Sequence, residues 1–327
     1  MNDIAKKQNE PNSIRKLVAQ RHLYQQSRHI AIWSFGLCII LPCVMALLQN
    51  WICNAVLNDI VVVICVLGTI GQYLSLKHQD EKKQLAARIQ QKFDAYVYGM
   101  KWLNIWGKEP TLEEILTFAE EGKTEGLENW YEPEVSEMNE SIGVILCQFE
   151  NVSYDMTLRK QFYKYCTFLF CVILALSCLC CFYYNIKFNT IVLQILFPIM
   201  PFIVWYLHIY SERDKDLLTL EFLQNKVQQV WNDGAAKDIA EEDLLEIQTI
   251  LLRHRECAHC IPNVIYKLLR HKQEEKIYYS TKERISDWKK HHNKEHNILM
   301  PKHKSVRCNV FCNRYGIELL LKICRNN

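Results

Sequence analysis

The chain has 327 residues, 50% of them hydrophobic, with 39 Lys and Arg set against 36 Asp and Glu for a formal net charge of +3. So near a balance excludes the uniform basic excess that holds a nucleic acid polymer. Ten glycines leave little room for a Gly-rich phosphate cradle, and neither a GxSxG elbow nor an HExxH pair occurs, so an enzyme is disfavoured.

Hydrophobicity is concentrated in four runs, Ala31–Leu48, Ile60–Leu76, Cys166–Tyr184 and Ile191–Tyr210, arranged as two closely spaced pairs. Each holds about 17–20 residues, enough to cross a hydrocarbon core of about 30 Å. A helix apolar all round can also lie inside a large soluble core, but four in one chain of this length are hard to enclose. The expected fold class is all-α: a membrane protein with four transmembrane helices in two hairpins and a helical cytoplasmic domain. Charged segments outside the runs account for a mean hydropathy of only −0.12.

In chain order, residues 1–30 read as a cytoplasmic helix in which Ile14, Leu17, Val18, Arg21 and Tyr24 follow helical spacing. About 29 mostly polar residues precede the first run. A cleaved signal would place its apolar stretch nearer the start, so the first span reads as a retained anchor. Residues 31–76 form the first hairpin. Over residues 77–165 a helical region is expected, with Leu85, Ile89, Phe93 and Val97 as one stripe. Within it Thr111-Leu-Glu-Glu114 has capping-box spacing and opens a helix ending near Gly122. A further helix is expected over Val135–Cys147, and Leu158, Phe162 and Tyr165 lead into the second hairpin, residues 166–210.

Residues 211–280 continue the helical part. Leu220, Leu223, Val227 and Val230 form a stripe. Asp238 is placed to cap a helix over Ile239–His254, and Pro262 falls in the first turn of the next. Residues 281–327 form a basic tail, either a solvated, poorly ordered end or one lying on anionic headgroups. The stripes suit a stalk of helices packed within one chain, the alternative being a coiled coil between subunits.

Basic residues flank the runs on one side only. Arg15, Lys16, Arg21 and Arg28 precede the first, Lys77, Lys82, Lys83, Arg88 and Lys92 follow the second, Arg159, Lys160 and Lys164 precede the third, and Arg213 and Lys215 follow the fourth. The connectors Gln49–Asp59 and Asn185–Thr190 carry only Lys187. Both termini and the middle segment are therefore expected in the cytoplasm. Eight of the 15 cysteines fall in the runs, where Cys acts as a small hydrophobe. Most of the others lie in the cytoplasmic parts, where thiols stay reduced.

The runs hold no transport chemistry. Asp59 and His208 lie near their ends, and Pro42, Pro198 and Pro201 are placed to bend them. Cys257 and Cys260, with His254 and His259 beside them, have CxxC spacing. A structural zinc site needs a second ligand pair, for which only His303, Cys308 and Cys312 offer themselves at irregular spacing. Incidental thiols are the simpler reading, and no cofactor is expected. Arg and aromatic residues cluster near the span ends: Arg21, Tyr24 and Arg28; Trp102, Trp130 and Tyr131; Tyr154, Arg159 and Tyr163; Arg253, Arg255, Tyr266 and Arg270. Arg forks suit phosphate and aromatic faces suit bases. A headgroup belt with stalk ion pairs would use the same residues.

Five stretches in order carry a resemblance. They are Asn9 with Leu17-Val-Ala-Gln-Arg21-His-Leu-Tyr24; Phe93-Asp94-Ala-Tyr-Val97 leading to Trp102; Trp130-Tyr131 with Pro133; Asn151-Val-Ser-Tyr-Asp155 with Leu158-Arg159; and Ile261-Pro262-Asn-Val-Ile-Tyr266 with Arg270 and Glu274. Over about residues 9–280 the chain resembles the SMODS-associated four-transmembrane effectors of bacterial anti-phage defence; the tail beyond Ser280 does not.

The resemblance implies a multi-pass protein of the bacterial inner membrane, assembling as a homo-oligomer. It would sense a cyclic di- or oligonucleotide and breach the lipid bilayer in abortive infection. The expected ligand-binding residues are Arg21, Tyr24, Arg28, Asp94, Trp102, Trp130, Tyr131, Asp155, Arg159, Tyr266 and Arg270, with none catalytic and none holding metal. The alternative is a constitutive membrane scaffold whose cytoplasmic helices recruit a protein partner.

Overall fold

The computed structural model describes residues 1–41, 44–45, 55–183, 197–234 and 239–296, with only the backbone at 38, 55–58, 61–62, 65, 69, 180–183, 197–198, 270–271 and 291–296. Helices account for nearly all regular structure, and no strand occurs among the described residues. The helices are α1 (Ile4–Gln8), α2 (Pro11–Phe35), α3 (Ala55–Tyr98), α4 (Leu112–Glu120), α5 (Glu140–Tyr183), α6 (Phe197–Gly234), α7 (Glu241–Cys257) and α8 (Asn263–His296). A π turn, Gly36–Ile40, prolongs α2 into the first apolar run.

Several elements start where local chemistry requires. Pro11 opens α2, where its missing N–H costs nothing. Thr111 caps α4: its Oγ1 accepts from the Glu114 N–H at 3.2 Å, and Glu114 accepts in return from the Thr111 N–H at 2.8 Å. α4 ends just before Gly122 as the spacing predicts. The expected helix at Val135–Cys147 is instead a 3₁₀ turn, Pro133–Glu137, followed by α5. Pro133 sets that turn, and Asn139 Oδ1 receives the Ile142 N–H at 2.8 Å, so the long helix starts only after it. α7 begins at Glu241, two residues later than expected, and Asp238 lies outside the described residues. α8 runs through residue 280 to His296, with Thr281 and Ile285 buried, so the first third of the basic tail is helix.

The stripes meet in one core inside the chain. Leu17, Val18, Phe93, Val97, Leu220, Leu223, Val227 and Val230 are all at most 5% exposed, and they pack with Ile145, Leu146, Ile247 and Leu251. Packing of this kind supplies most of the stability of such helices. α2 lies along α3, and α5 along α6; α7 is held against α3, α5 and α6. Trp106, wholly buried, fills the side of α7 and donates its Nε1–H to Thr249 Oγ1 at 2.8 Å.

The other halves of the long helices reverse this pattern. On α3, Val63, Val66, Leu67, Ile70 and Leu74 are exposed. So are Phe168, Leu176 and Leu179 on α5, and Met200, Val204 and Leu207 on α6. Among the described residues one helix stretch, Glu140–Leu179, meets the length and hydropathy needed to cross a membrane. Parts of the first and fourth runs, 42–43, 46–48 and 191–196, and both connectors lie largely outside the described residues, and the four-span arrangement stays an expectation.

Candidate functional site

Two buried polar networks tie the helices together, one inside the main core and one nearer the apolar half of α5. The first is centred on Asp94 of α3, which has no exposed surface. Its Oδ2 meets the Arg255 guanidinium of α7 at 2.7 Å and accepts from Gln248 Nε2 at 3.0 Å. Its Oδ1 accepts from the Tyr131 hydroxyl at 2.6 Å. That hydroxyl accepts in turn from Tyr98 at 2.8 Å and from the Asn151 amide of α5 at 2.9 Å. Each of these six side chains has a partner, as buried polar groups require. Desolvation, with the Asp94 charge alongside, pushes the Tyr131 phenol well up, which keeps it a donor.

The second network joins α5, α6 and α7. Arg159 of α5 meets Asp155 at 3.1 Å and Asp216 of α6 at 3.0 Å, and donates to the His259 carbonyl at 3.2 Å. His254 of α7 bridges the same two carboxylates, Nε2 to Asp155 at 2.8 Å and Nδ1 to Asp216 at 3.2 Å. Tyr163 donates to Asp216 at 2.6 Å. Burial opposes charge here, but Arg159 and His254 hold the Asp155 carboxyl well below the usual range. The same carboxylates keep Arg159 charged against its own desolvation. Beyond it, burial and the neighbouring His208 and Lys83 push His259 down to about 3.

A family model described as the SMODS-associating 4TM effector domain matches residues 2–284. The chain belongs to this family. A protein of Bacillus cereus (strain VD146), described as a probable CBASS effector molecule, is 26% identical over 284 residues, covering 84% of this chain and 95% of that one. No solved structure matches significantly.

In this member of the family the expected ligand residues separate into groups. Asp94 and Tyr131 share the first network, Asp155 and Arg159 the second; all four are engaged by protein partners. A third group gathers Tyr24 and Arg28 of α2 around Tyr266 and Cys260. Arg28 feels the charges of Cys260, Tyr266 and Tyr24, and its Nε has no hydrogen-bond partner among the described residues. Burial lowers the Arg28 pKa, the expected response of a cation enclosed without a carboxylate.

The rest stand apart. Arg21 donates to the carbonyls of Glu125 and Gly126 at 2.7 and 3.2 Å. Trp102 meets Trp106 edge-on at 5.4 Å, and Trp130 meets Phe93 edge-on at 6.4 Å. The Arg270 side chain lies outside the described residues. Cys260 Sγ lies 3.0 Å from Ser27 Oγ, and among the described residues no group of three metal-binding side chains forms; the possible partners His303, Cys308 and Cys312 lie outside them. Asp216 and Gln248, which complete the networks, carry no signal in the sequence. Each is an ordinary polar residue on a polar helix until the bundle is assembled.

Proposed function

We propose that the chain is the membrane effector of a cyclic-nucleotide-signalled anti-phage system. In this reading it senses the nucleotide in the cytoplasm and breaches the inner membrane by forming a pore as a homo-oligomer. Four spans cross the membrane, both termini and the middle segment face the cytoplasm, and the protein performs no catalysis. The observation that supports this most is the continuity of α5. It runs unbroken for 44 residues from Glu140 to Tyr183. Asp155 and Arg159 in its first half are clamped to α6 and α7, and its second half is apolar with Phe168, Leu176 and Leu179 turned outward. Any shift of the clamp is carried along a rigid rod into the apolar segment.

A ligand changes such an equilibrium only through its differential affinity for the two states. Of the expected residues, Tyr24, Arg28 and Tyr266 lie outside the two networks, while Asp94, Tyr131, Asp155 and Arg159 form the clamp that must rearrange. Network residues with two discrete arrangements suit a switch.

The test is dye release from vesicles holding the purified protein, with cyclic di- and oligonucleotides added outside. Release on addition of one such nucleotide, and none without it, is the expected result. A protein that never releases dye, with or without any nucleotide, is the scaffold alternative and ends this reading.

A further inference from the structure

α8 is anchored to the rest of the molecule at two places. Near its start Ile265, Tyr266 and Leu269 pack on the α5–α6 contact, with the Tyr266 ring 6.0 Å from that of Tyr154. Farther on, the Arg284 guanidinium lies 3.5 Å over the Phe149 ring, and Lys282 pairs with Glu134 at 3.3 Å. Between these anchors α8 and α5 enclose a groove of about 240 Å³ lined by Glu150, Ser153, Tyr154, Thr157, Gln273 and Lys276, among others. That is several times the roughly 30 Å³ share of one water.

Gln273 is the unexplained member of the groove. It is 4% exposed, yet among the described residues neither its Oε1 nor its Nε2 has a hydrogen-bond partner. An orphaned buried amide destabilises the protein, so it calls for an explanation. Its terminus offers one acceptor and two donors side by side. That arrangement pairs with an adenine edge, where an acceptor ring nitrogen lies next to the exocyclic amine. Lys276, one helical turn further along α8, supplies a cation. The one carboxylate of the groove does not repel an anion: Glu150 accepts from Thr281 Oγ1 at 2.9 Å, and burial pushes its carboxyl up to about 8, so it is mostly uncharged at neutral pH.

We propose that the groove between α5 and α8 is the messenger's docking site, with the Gln273 amide reading an adenine edge and Lys276 holding the adjoining phosphate. This rests on the nucleotide-sensing reading above and locates it. The ligand bridges α8 to the cytoplasmic half of α5, the same helix that enters the membrane, and so ties binding to the span. The free volume suits one base, with the remainder of a cyclic nucleotide lying across the mouth.

The experiment uses the full chain in lipid nanodiscs and calorimetric titration with cyclic di-AMP, cyclic di-GMP and cyclic di-UMP. The adenine compound is expected to bind best. Gln273→Leu should weaken it at least tenfold while raising the melting temperature, because the orphaned amide is gone. Lys276→Met should weaken all compounds that bind. Binding of the adenine compound by the wild type that is unchanged in both variants overturns this site and leaves nucleotide sensing intact. Preference for another base, lost equally in Gln273→Leu, keeps the groove and overturns the adenine assignment. A wild type that binds none of the three overturns this site, and one that also releases no dye with any cyclic di- or oligonucleotide overturns the sensing reading. Should Gln273→Leu fail to fold, Gln273→Asn, which shortens the reach by one methylene, gives the same comparison.

Discussion

At the scale of single residues the networks make unequal demands. Arg255 is buried against a fully enclosed Asp94. Removing one partner of such a pair leaves an uncompensated charge, at a cost of about 3–5 kcal/mol. Arg255→Met is therefore expected to melt far below the wild type in a thermal scan. Lys226 pairs with Asp243 at 2.8 Å where both side chains meet solvent, and Lys226→Met should change stability by less than about 1 kcal/mol. Equal losses in the two variants would refute the distinction.

Glu150 gives the pH dependence its sign. Burial, aided by Glu132 and Glu134, pushes its carboxyl from an ordinary 4.5 up to about 8. The folded state thus holds a proton that the unfolded chain releases at lower pH. Its contribution is complete below pH about 4.5 and is lost as pH rises toward and past 8. The melting temperature of the wild type relative to Glu150→Gln should fall between pH 5 and pH 9. Parallel curves would show that Glu150 is ionised in the folded protein.

At the scale of elements, close contacts decide which helices are interchangeable. A Cβ added at Gly122 would stand 2.3 Å from Val18 Cγ1 and 3.2 Å from the Val18 carbonyl. Val18 is β-branched and buried, so it has no spare rotamer to offer. Gly122→Ala should push the end of α4 off α2 and destabilise by about 1–3 kcal/mol in a denaturant melt. Gly126, with a positive φ of 67° but open space around it, should lose less on the same change.

This is also the scale at which the sequence was most legible. A stripe such as Leu220, Leu223, Val227 and Val230 names a buried helix face, because spacing near 3.6 residues dictates which side chains share a side. The Thr111 box names a helix start for an equally local reason. The partner of each face is not local. Asp94 and Arg255 are separated by 161 positions, and no short-range pattern links them. Arg159 shows the same limit: an Arg beside aromatics at a span end suits phosphate by its chemistry, yet the fold gives it two carboxylates and a carbonyl.

For the whole molecule, the basic flanks make a topological prediction. Trypsin applied to intact spheroplasts should leave the chain whole or cut only at Lys187, the sole basic residue of the two connectors. Inverted vesicles should expose the segment between the hairpins, including Lys101 and Lys123, which are accessible in the fold. Cleavage of that segment from the outer side would overturn the arrangement.

What the sequence determined by itself was everything carried by composition and short spacing: an all-helical chain, apolar runs of membrane-crossing length, the amphipathic stripes, and membership of its family. Hydrophobic length and helical period are properties of consecutive residues, so they need no fold to be read. Tertiary structure alone decided which charges are neutralised inside, that α5 is a single rod from clamp to apolar half, and that Gln273 is buried with no partner among the described residues. Those depend on which distant surfaces meet, and only the packed bundle brings them within hydrogen-bonding distance.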